Sequence, residues 1–160
     1  MYSSRTGNTK MLAEQVKRAL DPLDCVYYGP DDVKALTADR IYVGFWTDKG
    51  SCDPQTAAFL KTITDQEVFL FGTAGFGGQQ AYFDKILQRT GKNLPRKAHV
   101  VGGYMCQGKM PMTVRHRYEA MLAKPLHLPN LKNMIANFDQ ALSHPDAQDL
   151  SSLQRALESV

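Results

Sequence analysis

Ser4-Arg5-Thr6-Gly7-Asn8-Thr9 is a run of small hydroxylated residues around one glycine, and a helical pattern follows it at once. A loop of this kind can turn its backbone N–H groups onto an anion. The helix behind it aims its positive end at the same point. Gly7 permits a backbone conformation closed to other residues, so consecutive amides can converge. Ser4, Thr6 and Thr9 add hydroxyls, Asn8 adds an amide, and Arg5 and Lys10 add positive charge. The loop is not G-x-x-x-x-G-K-[ST], which excludes a nucleoside-triphosphate loop. It is not G-x-G-x-x-G, which excludes a dinucleotide fingerprint. Taken alone, it reads equally well as a Ser/Thr helix cap after a short strand. The context favours an anion site: Leu12, Val16 and Leu20 share one helical face, and Asp21-Pro22 stops that helix. A phosphate-bearing ligand is the first expectation.

Working outward, strand-like and helix-like segments alternate. Cys25–Tyr28 reads as a strand, and Asp31–Leu36 as a brief helix capped by Asp31. Arg40–Phe45 is a strand. Pro54–Ile63 is a helix capped by Cys52 or Asp53. Glu67–Phe71 is a nearly continuous apolar run, as a strand covered on both faces requires. Gly72–Gly78 is a glycine-rich loop. Tyr82, Phe83, Ile86 and Leu87 mark a helix ending near Gly91, and Lys97–Gly102 is a further strand. Thr113–Ala123 and Asn130–Leu142 read as two helices. Asp146 or Asp149 opens a last helix carrying Leu150, Leu153, Leu157 and Val160 on one face. Five strands separated by helices predict a doubly wound parallel α/β sheet. In such sheets ligands sit beyond the carboxyl ends of the strands. The loops there are 4–9, 46–53, 72–78 and 103–110.

The 160 residues suit one domain, 1–160, with 113–142 as a helical insertion. A 43% hydrophobic content suffices for a core. No apolar run approaches membrane-spanning length and no secretory pattern is present, so a cytoplasmic location is expected. Cys25, Cys52 and Cys106 are far apart, no C-x-x-C occurs, and the four histidines lack ligand spacing; no metal site or disulfide framework is expected. The net charge of +3, from 19 basic and 16 acidic residues, carries no dense basic stripe. That gives no reason to expect nucleic acid.

At this point the sequence resembles the flavodoxin family. Ser4–Thr9 matches the family's [ST]-x-T-G-x-T loop for the FMN phosphate. Phe71-Gly72-Thr73-Ala74-Gly75-Phe76-Gly77 looks like the flavin-flanking loop after the fourth strand, with Phe76 in the place of the aromatic that packs on the ring. Trp46-Thr47-Asp48-Lys49-Gly50 holds the place of the other flavin-flanking loop. Cys106-Gln107-Gly108-Lys109 and the Ser143-His144-Pro145 entry to the last helix are similar to flavodoxin-like stretches. More narrowly, Gly44–Cys52 together with Cys106–Met110 resembles the flavodoxin-like companion of a bilirubin-reducing enzyme of gut bacteria. Three features depart from the family. The chain begins at Met1-Tyr2-Ser3, where the family has a full apolar first strand, so a start upstream or a truncation is expected. The chain is not strongly acidic. Residues 113–142 are not part of the minimal fold.

The resemblance implies a flavodoxin-like sheet of order 2-1-3-4-5 with a short first strand. It implies FMN as cofactor, held by Ser4, Arg5, Thr6, Gly7, Asn8 and Thr9. Trp46, Thr47, Asp48, Lys49 and Gly50 would flank the flavin on one side, and Thr73, Ala74, Gly75, Phe76 and Gly77 on the other. In the family a main-chain carbonyl after the third strand turns towards flavin N5, and Gly50 is the residue here most able to permit that flip. The implied function is electron transfer between a reductase and a partner enzyme, with bilirubin reduction as the narrower case. Two alternatives stand beside it: an NAD(P)H-dependent FMN or quinone reductase, and a flavin-free interaction module on the same scaffold.

Other residues have plainer readings. Trp46 serves equally as a flavin wall or a packed tryptophan, whereas Phe76 between glycines is harder to place in a core. Cys52 and Cys106 read as free buried thiols rather than a dithiol pair. His99, in a strand, reads as a core histidine. Arg115, His116 and Arg117 form a basic cluster, read as solvated or as a patch for an acidic partner. Met105, Met110 and Met112 read as packing.

Overall fold

The computed structural model describes residues 1–126 and 128–160. Its sheet contains β1 (Arg40–Asp48), β2 (Ser51–Cys52), β3 (Glu67–Ala74) and β4 (His99–Gln107), in the order β2-β1-β3-β4. β1, β3 and β4 run parallel, and β2 folds back antiparallel on the end of β1. Around them lie α1 (Asn8–Ala19), α2 (Pro54–Leu60), α3 (Gln80–Gly91), α4 (Met112–Leu122), α5 (Leu131–Ala141) and α6 (Ala147–Leu157).

The apolar run in β3 explains the layering. Side chains alternate across a strand, so Val68 and Leu70 point one way and Phe69 and Phe71 the other. Val68 and Leu70 join Val43 and Phe45 of β1 beneath Phe59 and Leu60 of α2 and Phe83 and Ile86 of α3. Phe69 and Phe71 meet Leu12, Ala13 and Val16 of α1 and Leu153 and Leu157 of α6. Both faces are covered, as the continuous hydrophobicity of β3 demands. Gly44 and Gly72 sit opposite Phe71 and Phe45, and a Cβ on either glycine would meet that ring within 3 Å.

Among the described residues four strands form, not five. Residues 1–3 contribute only an isolated parallel bridge, Tyr2 with Gly44. Ser3 N–H donates to Gly44 O on one side, and Tyr2 N–H donates to Gly29 O on the other. Cys25–Tyr28 is not a strand. A ladder needs a row of bonded groups, and on that side residues 1–3 make one backbone bond, Tyr2 N–H to Gly29 O, just past the segment.

Other boundaries shift in ways that matter for the site. β1 runs through Trp46, Thr47 and Asp48, and β4 runs to Gln107, so residues expected in loops are strand ends. Asp32, not Asp31, caps the 3₁₀ turn Val33–Thr37 by accepting from Lys34 N–H. Asp53 caps α2, accepting from Thr56 N–H at 3.1 Å and Thr56 Oγ1 at 2.8 Å. Asp146 and Asp149 form a capping box on α6. His99 is exposed rather than in the core, because β4 is the edge of the sheet and its first residues lie outside the helical cover. No described helix is long and apolar enough to cross a membrane.

Candidate functional site

The loop at residues 4–9 ends in Gly7, whose φ of 88° is in the left-handed region. That turn starts α1, whose first amides have no carbonyl a turn earlier in the helix to bond. Among the described residues, the N–H groups of Arg5, Thr6, Gly7, Asn8 and Thr9 have no acceptor in the protein. Ser4 Oγ accepts from Lys10 N–H at 3.2 Å, which leaves its own hydroxyl proton free. Thr6 Oγ1 accepts from Asn8 Nδ2 at 3.0 Å and keeps its proton likewise. Asn8 is 5% exposed, and its Oδ1 is buried without a partner. Five free amides, two hydroxyl donors and a helix N-terminus form a cradle for an anion.

Side-chain bonds tie this cradle to the sheet. Asn8 Nδ2 donates to Lys109 O at 2.8 Å, in the loop after β4. Thr9 Oγ1 lies 3.3 Å from Phe45 O, to which it donates, and 3.2 Å from Thr73 Oγ1. Thr47 Oγ1 donates to Thr73 O at 2.9 Å, and Gly108 N–H donates to Ala74 O at 2.9 Å. The four strand-tip segments therefore converge at one end of the sheet. Within them Thr9, Thr73 and Ala74 are buried, and the side chains of Thr9 and Thr73 are spent on the framework.

Trp46 is half-buried, with the Arg5 guanidinium 5.5 Å from its ring centre. Beyond it the chain reverses through Lys49 (φ 48°) and Gly50 (φ 80°), a two-residue turn joining β1 to β2. Positive φ at both residues is what a tight hairpin with the natural strand twist requires. Gly50 O accepts from Arg89 Nη1 of α3 at 3.4 Å. Phe76 is 38% exposed between Gly75 and Gly77.

The residues behind Phe76 carry a connection that sequence reading did not foresee. Asn137 of α5 donates from Nδ2 to Gly75 O at 3.0 Å. Gln107, 4% exposed, donates from Nε2 to Gly75 O at 3.2 Å and to Asn137 Oδ1 at 3.0 Å. Gly77 N–H donates to Asn137 Oδ1 at 3.4 Å. Met110 packs so closely on Gly75 that a Cβ there would lie 2.5 Å from Sδ. One polar residue in an amphipathic helix gives no sequence signal for such a role.

The thiols are separated by the sheet. Cys52 belongs to the core under α2 and α3, and Cys106 to the core under α1 and α6. A dithiol pair is therefore ruled out by position. Burial pushes both thiols up from their ordinary range, Cys106 strongly. Cys25 is exposed. Iodoacetamide at pH 8 is expected to add one carbamidomethyl group to the folded protein, at Cys25, and three after unfolding; peptide mass spectrometry reads both numbers.

Arg115 is not a solvated member of a basic patch. It reaches Asp139 Oδ1 at 3.0 Å and Glu119 Oε1 at 3.4 Å, and so links α4 to α5. His144, Asp146 and Asp149 present ligand-type atoms within 4.8 Å of one another. Those atoms are engaged in the cap of α6: Asp149 Oδ2 is 2.6 Å from His144 Nδ1 and accepts from Asp146 N–H at 2.9 Å.

Comparison with known proteins gives a consistent family match. A sequence model of the family described as Flavodoxin domain matches residues 1–158. The flavodoxin-like domain-containing protein BilS of Clostridium symbiosum (strain WAL-14163) is 40% identical over 98% of this chain and 92% of its own length. The protein of the same name from Clostridioides difficile (strain CD3) is 30% identical over 94% of this chain and 88% of its own length. Among solved structures, a flavodoxin from the domain Archaea is 15% identical, with a TM-score of 0.44, over 99% of this chain and 92% of that one. A WrbA-like flavodoxin from Agrobacterium tumefaciens is 16% identical, with a TM-score of 0.45, over 97% and 95%.

Proposed function

This chain belongs to the flavodoxin domain family, and from that premise we propose that it is an FMN-binding electron carrier, reduced by a reductase and oxidised by a partner enzyme. The observation that carries the reading is the set of unpartnered amides from Arg5 to Thr9, on the same end of the sheet as Trp46 and Phe76. The residues present fit FMN. A phosphate of charge about −2 suits the free amides and the α1 N-terminus. Asn8 Oδ1, buried and unpartnered, needs a donor, and the ribityl chain of FMN carries hydroxyls. Bound FMN would supply the redox chemistry.

The protein's part is to hold, orient and shield. The amides of residues 5–9 and the hydroxyls of Ser4 and Thr6 grip the phosphate. Trp46 and Phe76 exclude water from the ring and disfavour added negative charge there, which lowers the potential. Lys49 opposes that trend and Asp48 supports it, each according to its distance from the ring. The resemblance in Gly44–Cys52 and Cys106–Met110 makes a bilirubin-reducing enzyme the first acceptor to test.

FMN titrated into the purified protein should bind saturably and quench its own fluorescence; no saturable binding overturns the proposal. NADH or NADPH alone should leave the FMN-loaded protein oxidised, since a carrier needs a reductase. Rapid bleaching would assign the protein to the reductases instead. A further expectation concerns Gly50. Its φ of 80° and the nearness of Arg89 Nη1, 2.7 Å from an added Cβ, make Gly50→Ala strained by roughly 1 kcal/mol. If that strain differs between redox states, a one-electron midpoint potential moves by about 40 mV. Spectroelectrochemical titration checks it, and unchanged potentials exclude a role for this turn in tuning.

A further inference from the structure

We infer that Asn137 is a positioning residue for the loop that presents Phe76, and that α5 is thereby built into the framework of the cofactor site. The inference rests on the FMN reading for its redox-cofactor readouts and is independent of it for its conformational one.

Phe76 lies on a short connection between β3 and α3, flanked by glycines that give the backbone little stiffness of its own. One carboxamide restrains it on both sides. Asn137 Nδ2 donates to the carbonyl of Gly75 at 3.0 Å, and Asn137 Oδ1 accepts from the amide of Gly77 at 3.4 Å. Gln107 completes the clamp from below. Its buried Nε2 donates to Gly75 O at 3.2 Å and to Asn137 Oδ1 at 3.0 Å, which also fixes which way the Asn137 amide faces. Met110 closes the space beside Gly75. The backbone of Phe76 is thus held before and after, while its ring stays open to solvent. A loop secured this way presents its aromatic in one orientation before any ligand arrives, and preorganisation of that kind raises affinity by lowering the ordering cost.

The competing explanation is that Asn137 only fastens α5 to the body. Arg115 supplies the comparison, because its ion pair with Asp139 links α4 to α5 without touching the 75–79 loop. Three variants are compared with the parent: Asn137→Ala, Asn137→Asp and Arg115→Ala. Hydrogen exchange of residues 72–79 is followed in flavin-free protein, and FMN affinity and visible circular dichroism in the loaded protein. Asn137→Ala is expected to speed exchange in the loop about tenfold, weaken FMN about tenfold and alter the visible dichroism. Asn137→Asp keeps the acceptor for Gly77 N–H but sets a carboxylate oxygen against Gly75 O, so it should disturb the loop at least as much as alanine does. Arg115→Ala should match the parent in all three. The inference is overturned if folded Asn137→Ala exchanges and binds like the parent, or if Arg115→Ala reproduces its changes. Should the alanine variant not fold, the aspartate variant carries the same comparison. If the parent itself takes up no FMN, the FMN reading fails, and loop exchange alone decides whether Asn137 positions the loop.

Discussion

Asn8→Asp is expected to weaken FMN binding at least about a hundredfold at pH 8 while weakening riboflavin binding far less. The substitution is nearly isosteric and sits in the first turn of α1, where a carboxylate is favourable to the helix itself. What changes is the charge in the cradle. One unit charge about 4 Å from another costs about 4 kcal/mol at an effective dielectric of 20, and the phosphate carries about −1.5 to −2. A hundredfold loss needs only about 2.8 kcal/mol. The bond from Asn8 Nδ2 to Lys109 O gives way to two facing oxygens, while the Thr6 hydroxyl can turn to donate, so some general loosening of the loop is expected. Riboflavin separates the two effects. It lacks the phosphate, so it feels the loosening and not the repulsion. pH separates them again. As pH falls from 8 through about 6 the phosphate takes up its second proton and the introduced carboxylate moves towards its own range. The repulsion shrinks, and the deficit relative to the parent should narrow on the acid side. Equal FMN affinity for variant and parent at pH 8 would place the phosphate elsewhere and remove the main support for the proposed function.

That cradle was readable from residue order alone, and the reason is local. A glycine that must adopt positive φ, hydroxyls around it and an amphipathic helix behind it depend on few distant residues. The apolar run Val68–Phe71 was equally readable, because burial on both faces leaves no other composition for the strand. The start of the last helix at Asp146 or Asp149 was readable too, though not that the two residues cap it together as a box. What escaped depended on partners far along the chain. Cys25–Tyr28 has strand-like composition, yet the ladder it needs is reduced to one bond just past it, from Tyr2 N–H to Gly29 O. Trp46–Asp48, expected in the loop after the strand, belongs to β1. The pair Lys49-Gly50 makes a hairpin tight enough to keep the preceding three residues in the strand. Asn137 lies 62 residues from the carbonyl it binds, and no local pattern reports such a contact.

Phe138→Ala should detach α4 and α5 from the rest of the protein before the sheet itself unfolds. Phe138 has no exposed surface, and truncating a buried phenylalanine costs about 3–5 kcal/mol. The consequence depends on what shares that loss. Tyr118, Leu131, Phe138 and Ala141 are buried, but none of them belongs to either apolar cluster that sandwiches the sheet. The Arg115–Asp139 pair is partly exposed and contributes little. A small apolar group with one large ring removed cannot offset the entropy of ordering two helices. The sheet, by contrast, retains Phe45, Phe69 and Phe71 untouched. Thermal unfolding followed by circular dichroism should therefore split into two steps, the first losing helix alone, and hydrogen exchange should rise across 112–142 first. Because Asn137 precedes Phe138 on the same helix, FMN affinity should fall with that first step. Phe69→Ala is the contrast. It removes a ring of similar size from beneath α1 and α6, and should lower the midpoint of one cooperative transition. A single transition in Phe138→Ala, lowered as in Phe69→Ala, would show that α4 and α5 unfold with the sheet as one unit.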